Sequence, residues 1–463
     1  MIKKITYFLP FLLLLAIISC NSDSKKDATY FGGKIINPKS KNVVLYYFEE
    51  AIDTLTLNKE NKFLGEFDSL KEGLYHFRHG NEYQYIYLES KDSLMLRLNT
   101  WDFDESLVYA GKGAERNNIL IDCFLEEEKE NKMFYEFNKL EPKDFKVKVD
   151  SILNLKLATY DNYIKNHPKV TDGFKEIFKV SLTYPTYNKI ERYPIKYAYH
   201  SNTNCFPETD ENFYDYRKDI NIDNSSLMYY SPYSNYIINY LYNQTFSLGY
   251  SPTTNDYSEE FTLDLLKITD KTVKSETTKN AILKQTVINH FYRKSSCKIN
   301  NKTFDLFFEL STNTKDIDQL KRLLKDTNSL PLDKKIKDFN IIDYNNTQQS
   351  ILDVVKGKNT ALFFWSPEHV GESYIASRIK FLSNKYPSIQ FLQIKVEGNI
   401  TERIKKLDIK KQYYIDEKSK AHQFLTSKMP RVVLLNKKSK VINGFASISS
   451  NNLASYLKEL NNK

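Results

Sequence analysis

The 463-residue sequence is poor in residues that interrupt or cross-link a chain: glycine and proline number 13 each, cysteine four and tryptophan two. So little glycine and proline excludes a collagen-like or low-complexity chain. With 34 tyrosines and 29 phenylalanines it is also too apolar to be disordered. The cysteines are Cys20, Cys123, Cys205 and Cys297, and the last three lie 82 and 92 residues apart. No C-x-x-C pair exists, which removes the thiol redox motif, and no short-spaced Cys/His set points to zinc. In an oxidising compartment these three could give one disulfide and one thiol; burial of all three as small apolar side chains is the plainer reading. Basic residues outnumber acidic ones 67 to 58, a net charge of +9, but the lysines are scattered rather than striped. That excludes the concentrated basic face a nucleic-acid site needs.

The N-terminus carries a pattern of its own. Lys3 and Lys4 precede an apolar run from Phe8 to Ile18 that is too short to span a bilayer comfortably. The run ends in Ile17-Ile18-Ser19-Cys20, which resembles the bacterial lipobox. The resemblance implies a signal peptide over residues 1–19, lipidation at Cys20 and a lipidated tether over 20–29. Cys20 at the end of the run, with polar NSDSKKD at once after it, favours this over an ordinary cleaved signal or a short uncleaved anchor. Two or three acyl chains anchor stably where one does not.

From residue 30 to 113 the pattern is β. Val43, Leu45 and Tyr47 alternate with Val44, Tyr46 and Phe48, and Tyr83, Tyr85 and Tyr87 alternate, as do Leu94, Leu96 and Leu98. Turn-rich pieces between short strands predict a β-sandwich or small barrel. Gly111-Lys112-Gly113 lacks P-loop spacing and reads as a turn. Residues 114–330 are helical in pattern. Phe145, Val149, Ile152, Leu153, Leu157, Tyr160 and Ile164 form one apolar stripe, Ser231-Pro232 opens a second helix, and Ile317, Leu320, Leu323 and Leu324 mark a third. Tyr233, Tyr236 and Tyr240 line one helix face, either as a carbohydrate or peptide platform or, more simply, as helix-to-helix packing.

Residues 331–463 are organised around Thr360–Glu372, TALFFWSPEHVGE. An apolar strand ends at Ser366-Pro367, which reads as an N-cap followed by a first-turn proline. Ile375, Ile379, Leu382 and Tyr386 then mark one helical face, and IQFLQIKV a second strand, so the stretch predicts a right-handed βαβ unit. Together with KIKDFNIIDYNNTQQSILDVVKGKNTALFFW before it and KMPRVVLLN after it, this stretch resembles the thioredoxin-like domain of TlpA-like membrane-tethered thiol-disulfide oxidoreductases. FGGKIINPKSKNVVLYY and the strands after it look like the β domain that precedes such modules in Bacteroidetes-type lipoproteins. The expected fold is therefore multidomain, α+β and α/β: an N-terminal β-sandwich (30–113), a helical middle (114–330) and a C-terminal thioredoxin-like α/β domain (331–463).

This sequence departs from the family at the point of its chemistry. Ungapped registration places His369 and Glu372 where the two redox cysteines would sit, and a shifted register places Ser366 and His369 there. A thiolate at a helix N-terminus is what attacks disulfides, and neither register supplies one. His369 and Glu372 at i, i+3 share a helix face, but only His422 could join them, so the set is short of ligands for a metal. Ser366 as a nucleophile would need His369 to turn back as its base, whereas capping explains it directly. By the resemblance, Lys428-Met429-Pro430-Arg431 is the cis-proline loop, whose residue before the proline pairs with an extended substrate strand. A binding groove of Trp365, His369, Met429 and Pro430 is expected, with a cis Met429–Pro430 bond. The implied protein is lipid-anchored in the bacterial cell envelope, at the outer membrane on its periplasmic or surface face. It uses no cofactor, and its redox-inactive domain binds or scaffolds an envelope protein or peptide. The alternative is a TlpA-like oxidoreductase working through a non-motif cysteine.

Overall fold

The computed structural model describes residues 28–48, 50–252, 258–294, 301–367, 369–398 and 400–462. The signal peptide, Cys20 and Cys297 lie outside the described residues. Backbone contacts divide the chain into two compact units. The first holds the chain up to Ser201 with Pro207–Asp219 and Ser226–Asn239; the second holds Asn202–Phe206, Ile220–Ser225 and Tyr240 onward. The division falls inside the segment expected to be a helical middle. An amphipathic helix must bury its apolar stripe, and the helices here find that cover within one unit or the other rather than as a third body.

In the first unit, eight strands make two four-stranded sheets. They are β1 (Thr29–Ile36), β2 (Asn42–Tyr47), β3 (Glu50–Thr56), β4 (Lys62–Phe67), β5 (Gly73–His79), β6 (Glu82–Leu88), β7 (Ser93–Asn99) and β8 (Val108–Ala110). One sheet runs β4-β1-β7-β8 and the other β3-β2-β5-β6. The alternating residues face inward as their period requires: Val43, Leu45, Leu94, Leu96 and Leu98 are buried with Phe31, Phe77 and Ile86 in one core.

Helices α1 (Ala114–Phe137), α2 (Pro142–Asn166), α3 (Asp172–Ser201) and the start of α4 (Ser231–Phe246) belong to the same unit. The apolar stripe of α2 buries Phe145, Val149 and Leu153. Tyr233 and Tyr236 are each 1% exposed, with Tyr184 5.7 and 5.4 Å from their rings, so they pack helix against helix and form no platform.

Two consecutive asparagines tie α1 to one edge of each sheet. Asn117 accepts from Tyr87 N–H at 2.7 Å and donates to Tyr87 C=O at 2.9 Å, on edge strand β6. Asn118 makes the same exchange with Tyr109 of edge strand β8, at 2.9 and 3.1 Å. Each amide side chain stands in for a missing neighbouring strand.

In the second unit, α5 (Glu259–Thr272), α6 (Glu276–Lys294), α7 (Lys302–Leu310) and α8 (Thr314–Asn328) precede a seven-stranded sheet. Its elements are β9 (Asn340–Asp343), β10 (Gln348–Ser350), α9 (Ile351–Val355), β11 (Thr360–Trp365), α10 (Glu372–Lys385), β12 (Gln390–Lys395), α11 (Glu402–Lys405), β13 (Gln412–Tyr414), β14 (Arg431–Leu435), β15 (Val441–Ala446) and α12 (Asn451–Asn461). The order is β10-β9-β13-β12-β11-β14-β15, with β11 parallel to β12 and antiparallel to β14. The entry hairpin, short helix, βαβ unit and closing hairpin are those expected of a thioredoxin-like domain.

Each face of this sheet has its own core. Leu362 and Phe364 join Leu392, Ile394, Val433 and Leu435 on one side. Ala361, Phe363 and Trp365 meet Ile375 and Ile379 of α10 and Leu453 and Leu457 of α12 on the other. A third core joins α5–α8 to the sheet through Leu266, Val287, Phe304, Leu320 and Leu323 against Phe445 of β15.

Substituting Asn117→Ala strands the Tyr87 N–H and C=O, of which Asn117 itself is 1% exposed. We expect a loss of roughly 2–4 kcal/mol in urea unfolding, and less for Asn118→Ala, since each buried group left unsatisfied costs about 1–3 kcal/mol.

Candidate functional site at the end of the central strand

In a parallel sheet, sites form beyond the carboxyl ends of the strands. The chain leaves β11 through Ser366 and Pro367 without entering a helix. The Ser366 carbonyl accepts from the amides of both His369 and Val370 at 3.1 Å, which closes a turn. The helix begins only at Glu372, with Gly371 as its N-cap and no side-chain cap. The helix start expected at Ser366-Pro367 is thus displaced. Capping preference is a weak local signal, and here the turn satisfies the same backbone groups first.

Of the residues expected at the redox positions, His369 is exposed in the turn and Glu372 is half-buried in the first turn of α10, where a carboxylate complements the helix dipole. Ser366 is buried. Trp365, expected in a groove wall, has 0% exposure: its indole fills the core under α10 and offers no surface to a ligand. Among the described residues, no group of three or more His, Cys, Asp or Glu is placed to hold a metal.

Beside this turn lie charges that the sequence did not single out. Lys395 closes β12 next to Trp365, is 3% exposed, and donates through Nζ to the Gly398 carbonyl. Burial pushes its pKa down, and Glu397 partly opposes that. Glu397 in turn pairs with Lys428, just before Met429. A lysine inside the apolar run IQFLQIKV was the available signal for the first of these; the ion pair spans too much sequence to be read from pattern.

The Met429–Pro430 loop is held by the chain's own helices. Among the described residues no peptide bond is cis, so the expected cis Met429–Pro430 bond is trans. Trans is the intrinsic preference even before proline, by about 0.5–1 kcal/mol. The Pro430 carbonyl accepts from Tyr292 Oη of α6 at 3.0 Å. The Met429 side chain packs into the α5–α8 core, and Gln319 of α8 donates to its sulfur at 3.6 Å.

The clasp is completed by Asp326, in the last turn of α8. Its carboxylate accepts four hydrogen bonds: from the amides of Thr426 and Ser427, both at 2.8 Å, and from their hydroxyls, both at 2.6 Å. An anion near a helix C-terminus is disfavoured by the dipole, and four donors offset that cost. Arg431 adds a second layer. It is 1% exposed, donates to the Asp326 carbonyl at 3.1 Å and to the Phe424 carbonyl, and lies 5.2 and 5.0 Å from the rings of Phe424 and Phe445. The loop expected to receive a substrate strand is thereby fastened to residues 276–328. His369 and Tyr374 of α10, the latter 47% exposed, are open to solvent.

Asp326→Ala leaves two amides and two hydroxyls of a buried loop without acceptors. We expect about 3–5 kcal/mol of destabilisation, and amide exchange at Thr426 and Ser427 accelerated well beyond that of β14.

No protein-family model matches the chain, and no curated protein matches it. Among solved structures, the chain is similar to a proposed thiol-disulfide oxidoreductase from Bacteroides vulgatus, at 23% identity over 29% of this chain and 99% of that one, with a TM-score of 0.24. It is similar to a proposed thiol:disulfide interchange protein DsbE from Chlorobium tepidum, at 18% identity over 29% and 99% of the two chains, with a TM-score of 0.25. A third is a thiol:disulfide interchange protein from a Bacteroides species, at 16% identity over 29% and 93%, with a TM-score of 0.23.

Proposed function

We propose that the protein is a lipid-anchored component of the bacterial cell envelope, held at the outer membrane through Cys20. Its thioredoxin-like domain carries out no redox chemistry and serves as a binding or scaffolding module for another envelope protein or peptide. The observation that carries this reading is the turn closed by the His369 and Val370 amides on the Ser366 carbonyl. The first redox position is taken by His369, which stands outside the helix that starts at Glu372. The amides of a helix N-terminus are one feature that lowers a thiol's pKa, and residue 369 stands outside the helix that would supply them. Cys123 is no substitute, because it is buried and its pKa is pushed up to about 12. Cys205 is exposed, against the expectation of burial, but no second described thiol accompanies it as a resolving partner.

The anchoring half of the proposal rests on the lipobox-like Ile17-Ile18-Ser19-Cys20 and the polar tether after it. The surface offered to a partner is His369 with Tyr374 on α10, because the Met429–Pro430 loop is tied to the protein's own helices through Tyr292 and Gln319.

Insulin disulfide reduction by the soluble chain starting at Asn21 tests the catalytic half. We expect no turnover above background, either in that chain or in the Cys123→Ser, Cys205→Ser, Cys297→Ser triple variant. Turnover that disappears in the triple variant would make this an oxidoreductase using a non-motif cysteine. For the anchor, metabolic labelling with radioactive palmitate should mark the full chain and be lost in Cys20→Ser; label retained by that variant would remove the lipidation site.

A further inference from the structure

The first unit holds a partly enclosed pocket of about 240 Å³. Its lower wall comes from Leu120, Cys123, Phe124 and Glu127 on one face of α1, where these residues recur at helical spacing. Gln84 and Tyr85 of β6 form one side, Ser181 and Pro185 of α3 another. The start of α4, with Asn235 at its rim, closes the last.

Most polar groups of the floor are already paired with one another. Ser181 Oγ and Tyr230 Oη lie 2.6 Å apart, Tyr85 Oη donates to the Tyr229 carbonyl at 2.8 Å, and Gln84 donates to Asp104 at 2.9 Å. Glu127 differs. Behind it, Lys156 and Lys189 both direct their ammonium groups to Glu130, at 2.7 and 3.3 Å. Glu127 gains only their field, while burial holds its pKa above the usual carboxylate range. Among the described residues no protein hydrogen bond to its carboxyl is seen, and the residue lines the pocket. Glu128 also lines it, and among the described residues no lysine, arginine or histidine does.

A half-buried carboxylate, a second carboxylate beside it and three aromatic rings in the walls define what fits. A cation supplies a hydrogen-bond donor and the opposite charge, and aromatic faces stabilise it further. An anion would meet two carboxylates in the lining, while Lys156 and Lys189 are already paired with Glu130. We propose that this pocket binds a small organic ammonium ion, with its charged head donating to Glu127 and its apolar part against Phe124, Tyr85 and Leu120.

The test is isothermal titration calorimetry on the soluble chain starting at Asn21, with n-butylammonium chloride as the probe. n-Butanol serves as the neutral isostere and potassium chloride as the ionic-strength control. We expect saturable one-site binding of n-butylammonium, no binding of n-butanol at the same concentrations, and at least a tenfold weaker affinity in Glu127→Gln. That variant keeps the side-chain volume and removes a carboxylate whose burial is unfavourable, so its circular dichroism and ligand-free melting should match the parent. Asn235→Trp, which fills the rim without touching the carboxylate, should abolish the signal. The proposal is overturned by absence of n-butylammonium binding in the parent chain, by equal binding of n-butanol, or by unchanged affinity in either variant.

Discussion

Strand β11 has no side that can face water. All six of its residues, Thr360 to Trp365, are at most 2% exposed. A parallel strand buried on both faces requires a covering layer on each, and burying one large apolar side chain contributes about 1.5–3 kcal/mol. The second unit follows from that requirement. Helices α10 and α12 cover one face, and α9 with Ala421, Phe424 and Leu425 covers the other. Because β11 is interior to the sheet, the chain must turn away at its carboxyl end, near Lys395 of the neighbouring strand β12.

Polar groups at the borders of these cores are met from elements far away in sequence. Asp326 closes the loop about a hundred positions further on, Arg431 returns to the Asp326 carbonyl, and Tyr292 reaches Pro430. In the sandwich, Asn117 and Asn118 do the same for two sheet edges. The physical demand is common to both units: a sheet edge or buried loop with unpaired backbone groups is costly, and short polar side chains on a rigid helix satisfy it with little loss of side-chain entropy.

This arrangement bears on function through what it occupies. The Met429–Pro430 loop is fastened by α6 and α8 from the same chain. What stays exposed is the turn that replaces the helix start, where His369 faces solvent.

Periodicity and apolar runs alone determined much of this protein. The alternating leucines of β7, the stripe of α2 and the apolar strand β11 followed by a helix all read correctly, because burial enforces a period of 2 or 3.6 wherever a segment has one wet and one dry face. The absence of Cys-x-x-C was equally plain. Tertiary structure decided the rest. It moved the helix start from Ser366-Pro367 to Glu372, buried Trp365, left the Met429–Pro430 bond trans and exposed Cys205. It also recruited Asp326 and Arg431, whose partners lie far along the chain or in another layer. Local preferences of a few tenths of a kcal/mol to about one are read from neighbours in sequence. Satisfying a buried backbone group outweighs them, and which side chain does so depends on contacts that exist only once the chain has folded.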